Sequence, residues 1–354
     1  MMAAKPPEVG AGRCKCWGKR CSSRGFAQQA AWKKPVVSFP LAAGCILFLG
    51  LTWALTLTPR ARAQDVTFTT AIPVAQGEAV TRLQLGDGYS AGSSHRELAG
   101  LDFPTVFAYG WRSKFTLFVT VPMSAYFLSD NTSAETATRS SSGFDDTLVF
   151  LRYTLFHFDW LTKTFRMAPF AGFYLPTGSD EKSDSLGRLT AKMQTGSGAV
   201  DPYLGTALTT FDLDYEFHWD FAYRVNSLAD NSTRPGDVLE TDAAFQYRIL
   251  PWRIPDFGLP NFFDLDLETN LIWSQRGYLD GRRAANSGGV LWFLDPGLIF
   301  VTPSLQTGAV VQLPAFQDLY GAGRLATQYR VFGYLQQYFN LGAIFSRWRT
   351  ASSL

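Results

Sequence analysis

The strongest constraint on this sequence is an alternation of apolar and polar residues with a period of two, repeated along most of the chain. From Tyr215 to Asn226, the odd-numbered positions are aromatic or aliphatic and the even-numbered positions are mostly charged or polar. Because successive side chains of a β-strand point to opposite faces, this segment has one aromatic face and one polar face. The same pattern is clear at 263–273, 239–249 and 103–111.

Further segments show the alternation more weakly, and turn residues rich in Ser, Gly, Asn and Asp separate them. These segments are 78–86, 114–127, 144–156, 164–175, 198–210, 287–301, 304–313 and 325–339. Together they predict an all-β chain that forms a transmembrane antiparallel β-barrel of about 12 strands, an even number as in bacterial barrels. An even number places both ends of the barrel on the periplasmic side.

The connections fit the same architecture, in which short periplasmic turns alternate with long external loops. Short links are predicted at 112–113, 211–214 and 302–303. External loops are predicted at 87–102, 128–143, 176–197, 227–238, 274–286 and 314–324. Prolines within predicted strands conflict with a closed barrel, which has no edge to accommodate a missing N–H, and we expect them to mark bulges or strand ends. They are Pro104, Pro122, Pro169, Pro202 and Pro296.

The first 63 residues differ in composition and predict a cleavable export signal. A basic segment precedes an apolar run from about Phe39 to Leu57, and Ala61-Arg62-Ala63 then offers the small residues that a signal peptidase prefers. An uncleaved membrane anchor is the alternative, because the run nearly reaches the length of a spanning helix. The predicted regions are the leader at 1–63, a periplasmic segment at 64–77, an outer-membrane barrel at 78–339 and a C-terminal tail at 340–354.

The leader also contains every cysteine and most of the excess positive charge. Cys14, Cys16, Cys21 and Cys45 all precede Ala63, so neither disulfides nor cysteine-bound metals are expected in the mature chain. Removing the leader leaves 22 basic and 29 acidic residues, and this negative balance gives no basis for nucleic-acid binding. The predicted partners are outer-membrane lipid, the barrel-insertion machinery and small-molecule solutes, and no cofactor is expected.

Several short motifs occur in a recognisable order. Gly143-Phe144-Asp145-Asp146 opens a strand, a later strand ends in Pro176-Thr177-Gly178, and Asp295-Pro296-Gly297 precedes an apolar stretch. In this order, and with long polar loops between them, the motifs resemble a family of outer-membrane barrels named as transporters of the MetA pathway of phenol degradation. The resemblance extends from about Glu78 to about Phe339. It implies a channel for small hydrophobic or aromatic solutes in the outer membrane of a Gram-negative-type bacterium.

A channel carries out no chemistry, so its functional surface is the lumen, and strand parity predicts which side chains face it. The lumen-facing candidates are Asp146, Arg152, Asp201, Glu216, His218, Asp220, Arg224, Asp242, Arg248, Asp264, Asp266 and Glu268. Rings of acidic residues in a pore favour cations. The alternative is that these residues pair across neighbouring strands and fill a narrow barrel. Parity also places Phe118, Phe150, Phe170 and Tyr203 inside, as candidates for a route taken by aromatic solutes.

Two other functions stay open at this point. A plugged or structural barrel has the same strands but no transport, and conductance measurements distinguish it from a pore. An outer-membrane hydrolase needs a nucleophile beside a base, and His218, flanked by Glu216 and Asp220, is the candidate base. Residues two apart on a strand are separated by about 6.5 Å, which disfavours a metal site among these three. We therefore predict neither an enzyme nor a metal protein.

Overall fold

The computed structural model describes residues 69–92, 96–130, 137–229, 233–255, 257–258, 260–321 and 325–341. These residues form a closed antiparallel barrel of twelve strands. The 3₁₀ turn Ala191–Met193 lies in one of the connections. Among the described residues, no helix is long and apolar enough to cross a membrane. The predicted leader, residues 64–68 and most of the predicted tail lie outside the described residues.

The strands follow one another around the barrel in chain order. They are β1 (Glu78–Gly92), β2 (Arg96–Asp102 and Thr105–Arg112), β3 (Phe115–Val121 and Met123–Asp130), β4 (Ala137–Phe144, Thr147–Tyr153 and Phe156–Asp159), β5 (Thr164–Leu175), β6 (Asp201–Phe211), β7 (Tyr215–Arg224), β8 (Val238–Leu250), β9 (Phe262–Ser274), β10 (Gly289–Val301), β11 (Leu305–Leu319) and β12 (Leu325–Asn340). Pairing of β12 with β1 closes the barrel, from Glu78 opposite Asn340 to Gly92 opposite Leu325.

The predicted fold class is confirmed, but three of the predicted external loops are placed wrongly. The loop at 314–324 starts too early, because β11 continues to Leu319, and the other two are largely strand. Residues 87–102 and 128–143 are mostly strand, because β1 to β4 continue past the segments with clear alternation. Glycine and serine are frequent in these strand ends, so the two faces of each strand no longer differ in polarity. The backbone hydrogen bonds between strands nevertheless continue. Asp87 pairs with Leu101, and Tyr126 pairs with Ser141.

The prolines divide into two groups. Pro104 and Pro122 lie at the interruptions of β2 and β3, whereas Pro169, Pro202 and Pro296 lie within strands. At Pro296 the ladder between β10 and β11 is interrupted, although Pro296 itself stays paired with Leu267 of β9. A local break in one ladder accommodates the missing N–H without opening the barrel.

The outer face of the barrel is apolar. Large side chains remain exposed on it, among them Trp111 at 58% and Leu267 at 47%. The indole N–H of Trp219 donates to Oγ1 of Thr241 at 2.9 Å, and that of Trp292 donates to Oγ1 of Thr269 at 2.8 Å. Hydrocarbon offers no hydrogen bonds, so a lipid-facing indole needs a partner of this kind. The outer wall therefore suits a bilayer, and an even-stranded antiparallel barrel with this wall is the architecture of the bacterial outer membrane.

The two ends of the barrel differ in the length of their connections. Short turns at 113–114, 160–163, 212–214 and 302–304, together with one longer connection at 251–261, lie at the end where β1 begins and β12 ends. Long connections, including 176–200, lie at the other end. The short-turn end is therefore the periplasmic end, and the long loops are external.

Candidate functional site

Residues 69–77, which precede β1, lie inside the periplasmic half of the barrel, and we call them the inner segment. Thr70 and Ala71 are fully buried. The Ala71 amide donates to Oγ1 of Thr209 at 2.9 Å, and the Val74 amide donates to Oγ1 of Thr116 at 3.2 Å. The prediction of a periplasmic segment is therefore wrong for these residues. A sequence signal was present, because residues 66–77 carry no charge and need no contact with water.

Arg152, one of the predicted lumen-facing residues, holds the inner segment from β4. Its guanidinium donates to the Thr70 carbonyl, to the Thr69 hydroxyl at 3.0 Å and to the Ile72 carbonyl at 2.5 Å. The same guanidinium lies 4.6 Å from the centroid of the Phe118 ring. Because Arg152 is only 1% exposed, withdrawal of the inner segment would leave a buried charge without its acceptors.

Gly110 of β2 allows the inner segment to lie directly against the barrel wall. The Gly77 amide donates to the Gly110 carbonyl at 2.9 Å. A Cβ atom at Gly110 would come within 2.1 Å of the carbonyl oxygen of Ala75. A larger residue at this position therefore cannot coexist with the inner segment in its observed place.

His218 belongs to a hydrogen-bonded chain that ends on the inner segment. Its Nδ1 lies 3.0 Å from Oγ1 of Thr209, and its Nε2 lies 3.2 Å from Oε2 of Glu216. This order resembles a nucleophile, a base and an acid, but Thr209 is buried and its hydroxyl already accepts the Ala71 amide. A substrate cannot reach that hydroxyl while the inner segment is in place.

The sequence also contains one Gly-x-Ser-x-Gly match, at Gly88-Tyr89-Ser90-Ala91-Gly92. In hydrolases this motif forms a tight turn between a strand and a helix. Here the five residues belong to β1, and Ser90 is paired with Leu98 of β2. The motif therefore has no catalytic context in this fold.

A cavity of 320 Å³ lies near the middle of the barrel, bordered by Thr69 of the inner segment, and we call it the chamber. One wall is aromatic. Phe118 stacks on Phe150 with ring centroids 4.5 Å apart, and Phe150 lies 5.5 Å from Phe170. Tyr203 stacks on Phe170 at 5.3 Å. The structure thus brings together the four aromatic residues that parity placed inside.

The other wall of the chamber is acidic. Asp220, Glu240 and Asp242 line it, and Asp220 lies opposite Asp242 in the ladder between β7 and β8. Asn270 donates to Asp242 at 2.9 Å, which extends this polar surface to β9. Gln312 of β11 then donates to Asn270 and to Asp295 of β10, both at 2.8 Å. The acidic side of the lumen is therefore a hydrogen-bonded band that crosses neighbouring strands.

Three acids predicted for β9 lie near this band. Asp264, Asp266 and Glu268 are all buried, and Glu268 lies opposite Asp295 in the ladder with β10. Arg248 stands opposite Asp264 but forms its ion pair with Asp214 in the periplasmic turn. In the part of the chain that the structure describes, no group of three or more His, Cys, Asp and Glu side chains is arranged to hold a metal ion.

The remaining predicted residues fix external connections. Asp146 accepts the amide of Gly178 at 3.1 Å and that of Ser197 at 2.7 Å, which ties both ends of the β5–β6 connection to β4. Asp201 accepts Nη2 of Arg224 at 2.5 Å and the amide of Ser227 at 2.8 Å. Asp201 and Arg224 thus pair across neighbouring strands, whereas Asp146 binds backbone amides of the connection.

Sequence reasoning missed several charged residues of the lumen, including Arg82 and Glu240 at the chamber, Asp295 and Arg330. Arg330 of β12 donates to Gln312 at 3.3 Å, and its guanidinium lies 5.2 Å from the Phe293 ring centroid. Tyr334 and Gln336 are buried, and Arg330 lies an even number of residues before both of them. Alternation along the strand would therefore have placed Arg330 inside. Asp295 was hidden because its segment, 287–301, is apolar on both faces.

Comparisons with known proteins agree with this architecture. A family model described as "Putative MetA-pathway of phenol degradation" matches residues 89–313. No curated protein matches the sequence. Among solved structures, an outer membrane channel from Pseudomonas putida F1 aligns with a TM-score of 0.55 and 14% identity, covering 78% of this chain and 100% of that chain. This alignment shows a shared fold.

Two other solved barrels are less similar. The β domain of the Bordetella autotransporter BrkA has a TM-score of 0.42 and 10% identity, with coverage of 74% of this chain and 99% of that chain. The CymD monoaromatic hydrocarbon channel has a TM-score of 0.35 and 9% identity, with coverage of 75% and 89%.

Proposed function

Because the chain belongs to the MetA-pathway family of phenol degradation, we propose that it is an outer-membrane channel for small apolar and aromatic solutes. The chamber is the observation that carries this proposal. A cavity of roughly 150 Å³ lined by apolar side chains is enough to hold benzene, and the chamber has a volume of 320 Å³. Its stacked Phe and Tyr rings offer a solute ring the offset and edge contacts that aromatic pairs prefer.

The route that follows from the geometry runs along the lumen. A solute enters from the external end, occupies the chamber, and reaches the periplasm when the inner segment moves aside. The inner segment is held by hydrogen bonds to Thr116, Arg152 and Thr209 rather than by continuous strand pairing, which makes its displacement feasible. A conducting state that depends on this motion distinguishes the channel from a permanently plugged barrel.

We infer that the protein carries its solutes and does not transform them. The nucleophile–base arrangement at Thr209 and His218 is covered by the Ala71 amide. The chamber itself is lined by aromatic rings, carboxylates, the Arg82 guanidinium and the amides of Gln84 and Gln336. These groups suit binding and passage.

Uptake by whole cells tests the proposed function, because an intact outer membrane slows the entry of apolar solutes. In a strain lacking the chain, we expect the initial rate of radiolabelled phenol uptake to fall several-fold and to recover when the wild-type chain is supplied. Uptake of a disaccharide serves as the control and should not change. Equal phenol uptake with and without the chain would contradict the proposed function.

The acids of β9 give a separate prediction about ion selectivity. Replacing Asp264 and Asp266 with Asn and Glu268 with Gln is expected to lower the K⁺ over Cl⁻ permeability ratio about threefold, because carboxylates lining a pore favour cations. The measurement is the reversal potential across planar bilayers in a KCl gradient. It is made in a Gly110→Val background, in which we expect the inner segment to be displaced. The control is Asp280→Asn, in the external connection after β9. An unchanged K⁺ over Cl⁻ permeability ratio in the triple variant would exclude these acids from the ion path.

A further inference from the structure

A second cavity, of 410 Å³, lies at the external end of the barrel, and we call it the vestibule. Its roof is the 3₁₀ turn Ala191–Met193, which belongs to the connection between β5 and β6. Its walls come from the external ends of strands, including Leu98 of β2, Leu128 of β3 and Leu291 of β10. The chamber and the vestibule share no lining residue among those that the structure describes.

The roof of the vestibule is fixed in place. Met193 and Leu189 of the connection are buried against Leu128 and Leu325 of the barrel wall. The Gln194 side chain accepts the Lys182 amide at 2.9 Å and donates to the Lys182 carbonyl at 3.0 Å, which fastens the turn to the rest of the connection. Since Asp146 also anchors both ends of the connection, the cavity is a built feature of the fold.

One charged group of the vestibule stands apart from the others. Lys192, on the roof turn, lines the cavity and forms no ion pair or hydrogen bond with any residue in the described ranges. Arg96 lines the same cavity, but its Nε lies 3.0 Å from Oδ2 of Asp130. Lys192 is thus a lining residue whose charge no described side chain neutralises.

The surroundings of Lys192 disfavour its own positive charge. Protein atoms packed around the side chain lower the pKa of Lys192, and the nearby cations Arg330 and then Arg96 lower it further. An anion placed beside the ammonium would offset both effects, because an opposite charge at short range favours the charged form.

We propose that the vestibule binds small amphipathic organic anions, with a single ring or short alkyl body against Met193 and the leucines and a carboxylate or phenolate oxygen on the Lys192 ammonium. Contact with the apolar lining supplies affinity that grows with the area removed from water. The ammonium supplies a charge-assisted hydrogen bond, which is stronger than a neutral one. The inference rests on the proposed function and deepens it by naming a class of solute captured before the chamber.

Binding of benzoate to the full-length protein in detergent, measured by isothermal titration calorimetry, tests this proposal. We expect Lys192→Met to weaken benzoate binding about tenfold or more, because a hydrogen bond to a charged group is lost. Binding of benzyl alcohol, which has the same ring without the charge, should be unchanged in this variant. Lys182→Met is the matched control, because that lysine lies in the same connection but donates to the Ser142 carbonyl at 2.8 Å.

A second variant tests the apolar side of the site. Leu291→Asn should weaken both benzoate and benzyl alcohol, since it removes apolar contact without touching the charge. The vestibule site is overturned if the wild type does not bind benzoate, or if the wild type and Lys192→Met bind it with equal affinity. This conclusion holds whatever the uptake assays show. A different outcome would separate the two proposals. If benzoate binding depends on Lys192 but cells lacking the protein take up phenol normally, the vestibule site is supported and only the proposed channel function is contradicted.

Discussion

Replacing Arg152 with methionine is expected to raise the occupancy of the conducting state in planar bilayers about 100-fold. A hydrogen bond from a charged donor contributes about 1.5–3 kcal/mol, and a loss of roughly 3 kcal/mol corresponds to about a 100-fold change in occupancy. The guanidinium contacts three groups of the inner segment, the Thr69 hydroxyl and the carbonyls of Thr70 and Ile72. Methionine fills much of the same volume without the charge, so the barrel wall stays packed while the anchor is lost.

Arg248→Met is the control for this experiment. Arg248 also belongs to the inner wall, but its ion pair is with Asp214 in a periplasmic turn. Gly110→Val provides an independent route to the same state, because its side chain would collide with the Ala75 carbonyl. If Arg152→Met and Gly110→Val both conduct no better than wild type, the inner segment does not control the lumen.

Replacing Phe150 with alanine is expected to slow saturable phenol uptake about tenfold, because aromatic contacts contribute about 0.5–1.5 kcal/mol per pair beyond area burial. Phe150 lies within 4.5 Å of Phe118, 5.5 Å of Phe170 and 6.0 Å of Tyr203, measured between ring centroids. The cavity left behind should also lower the free energy of unfolding by about 3–5 kcal/mol. Initial uptake rates and the temperature of unfolding on gels measure the two effects.

Phe245→Ala separates the effect on the chamber from a general effect on the barrel. Phe245 lies on the outer face of β8 and is 42% exposed, so its loss should leave phenol uptake unchanged. A folded Phe150→Ala protein with wild-type uptake would show that the aromatic wall does not belong to the solute route.

The strands were the most predictable part of this molecule, for a reason that β7 illustrates. A strand with lipid on one side and a polar lumen on the other must alternate strictly, and the pattern at 215–226 therefore gave the position of Tyr215–Arg224 to within two residues. The predicted barrel, its outer-membrane location and its family are confirmed. The external ends of β1 to β4 escaped prediction because glycine and serine there erase the contrast between faces.

The partners of the lumen residues could not be predicted, because parity indicates a face and not a neighbour. Arg152 acts on a segment that precedes β1, and no local pattern connects the two. Arg224 was predicted to face the lumen, and its ion pair with Asp201 on the adjacent strand followed from no pattern in the sequence. The vestibule depends on how the β5–β6 connection folds over the barrel, which alternation does not encode.

A reversible lock on the inner segment tests the lumen route most directly. Ala71→Cys and Thr209→Cys are placed in a background in which Cys14, Cys16, Cys21 and Cys45 are serine, and phenol uptake is measured before and after reduction. The Ala71 amide donates to the Thr209 hydroxyl at 2.9 Å, so a disulfide at these positions would join two residues that are already in contact. We predict that the oxidised protein takes up no phenol above the level of cells lacking the chain and that reduction restores uptake. Wild-type uptake by the fully oxidised protein would contradict a route past the inner segment.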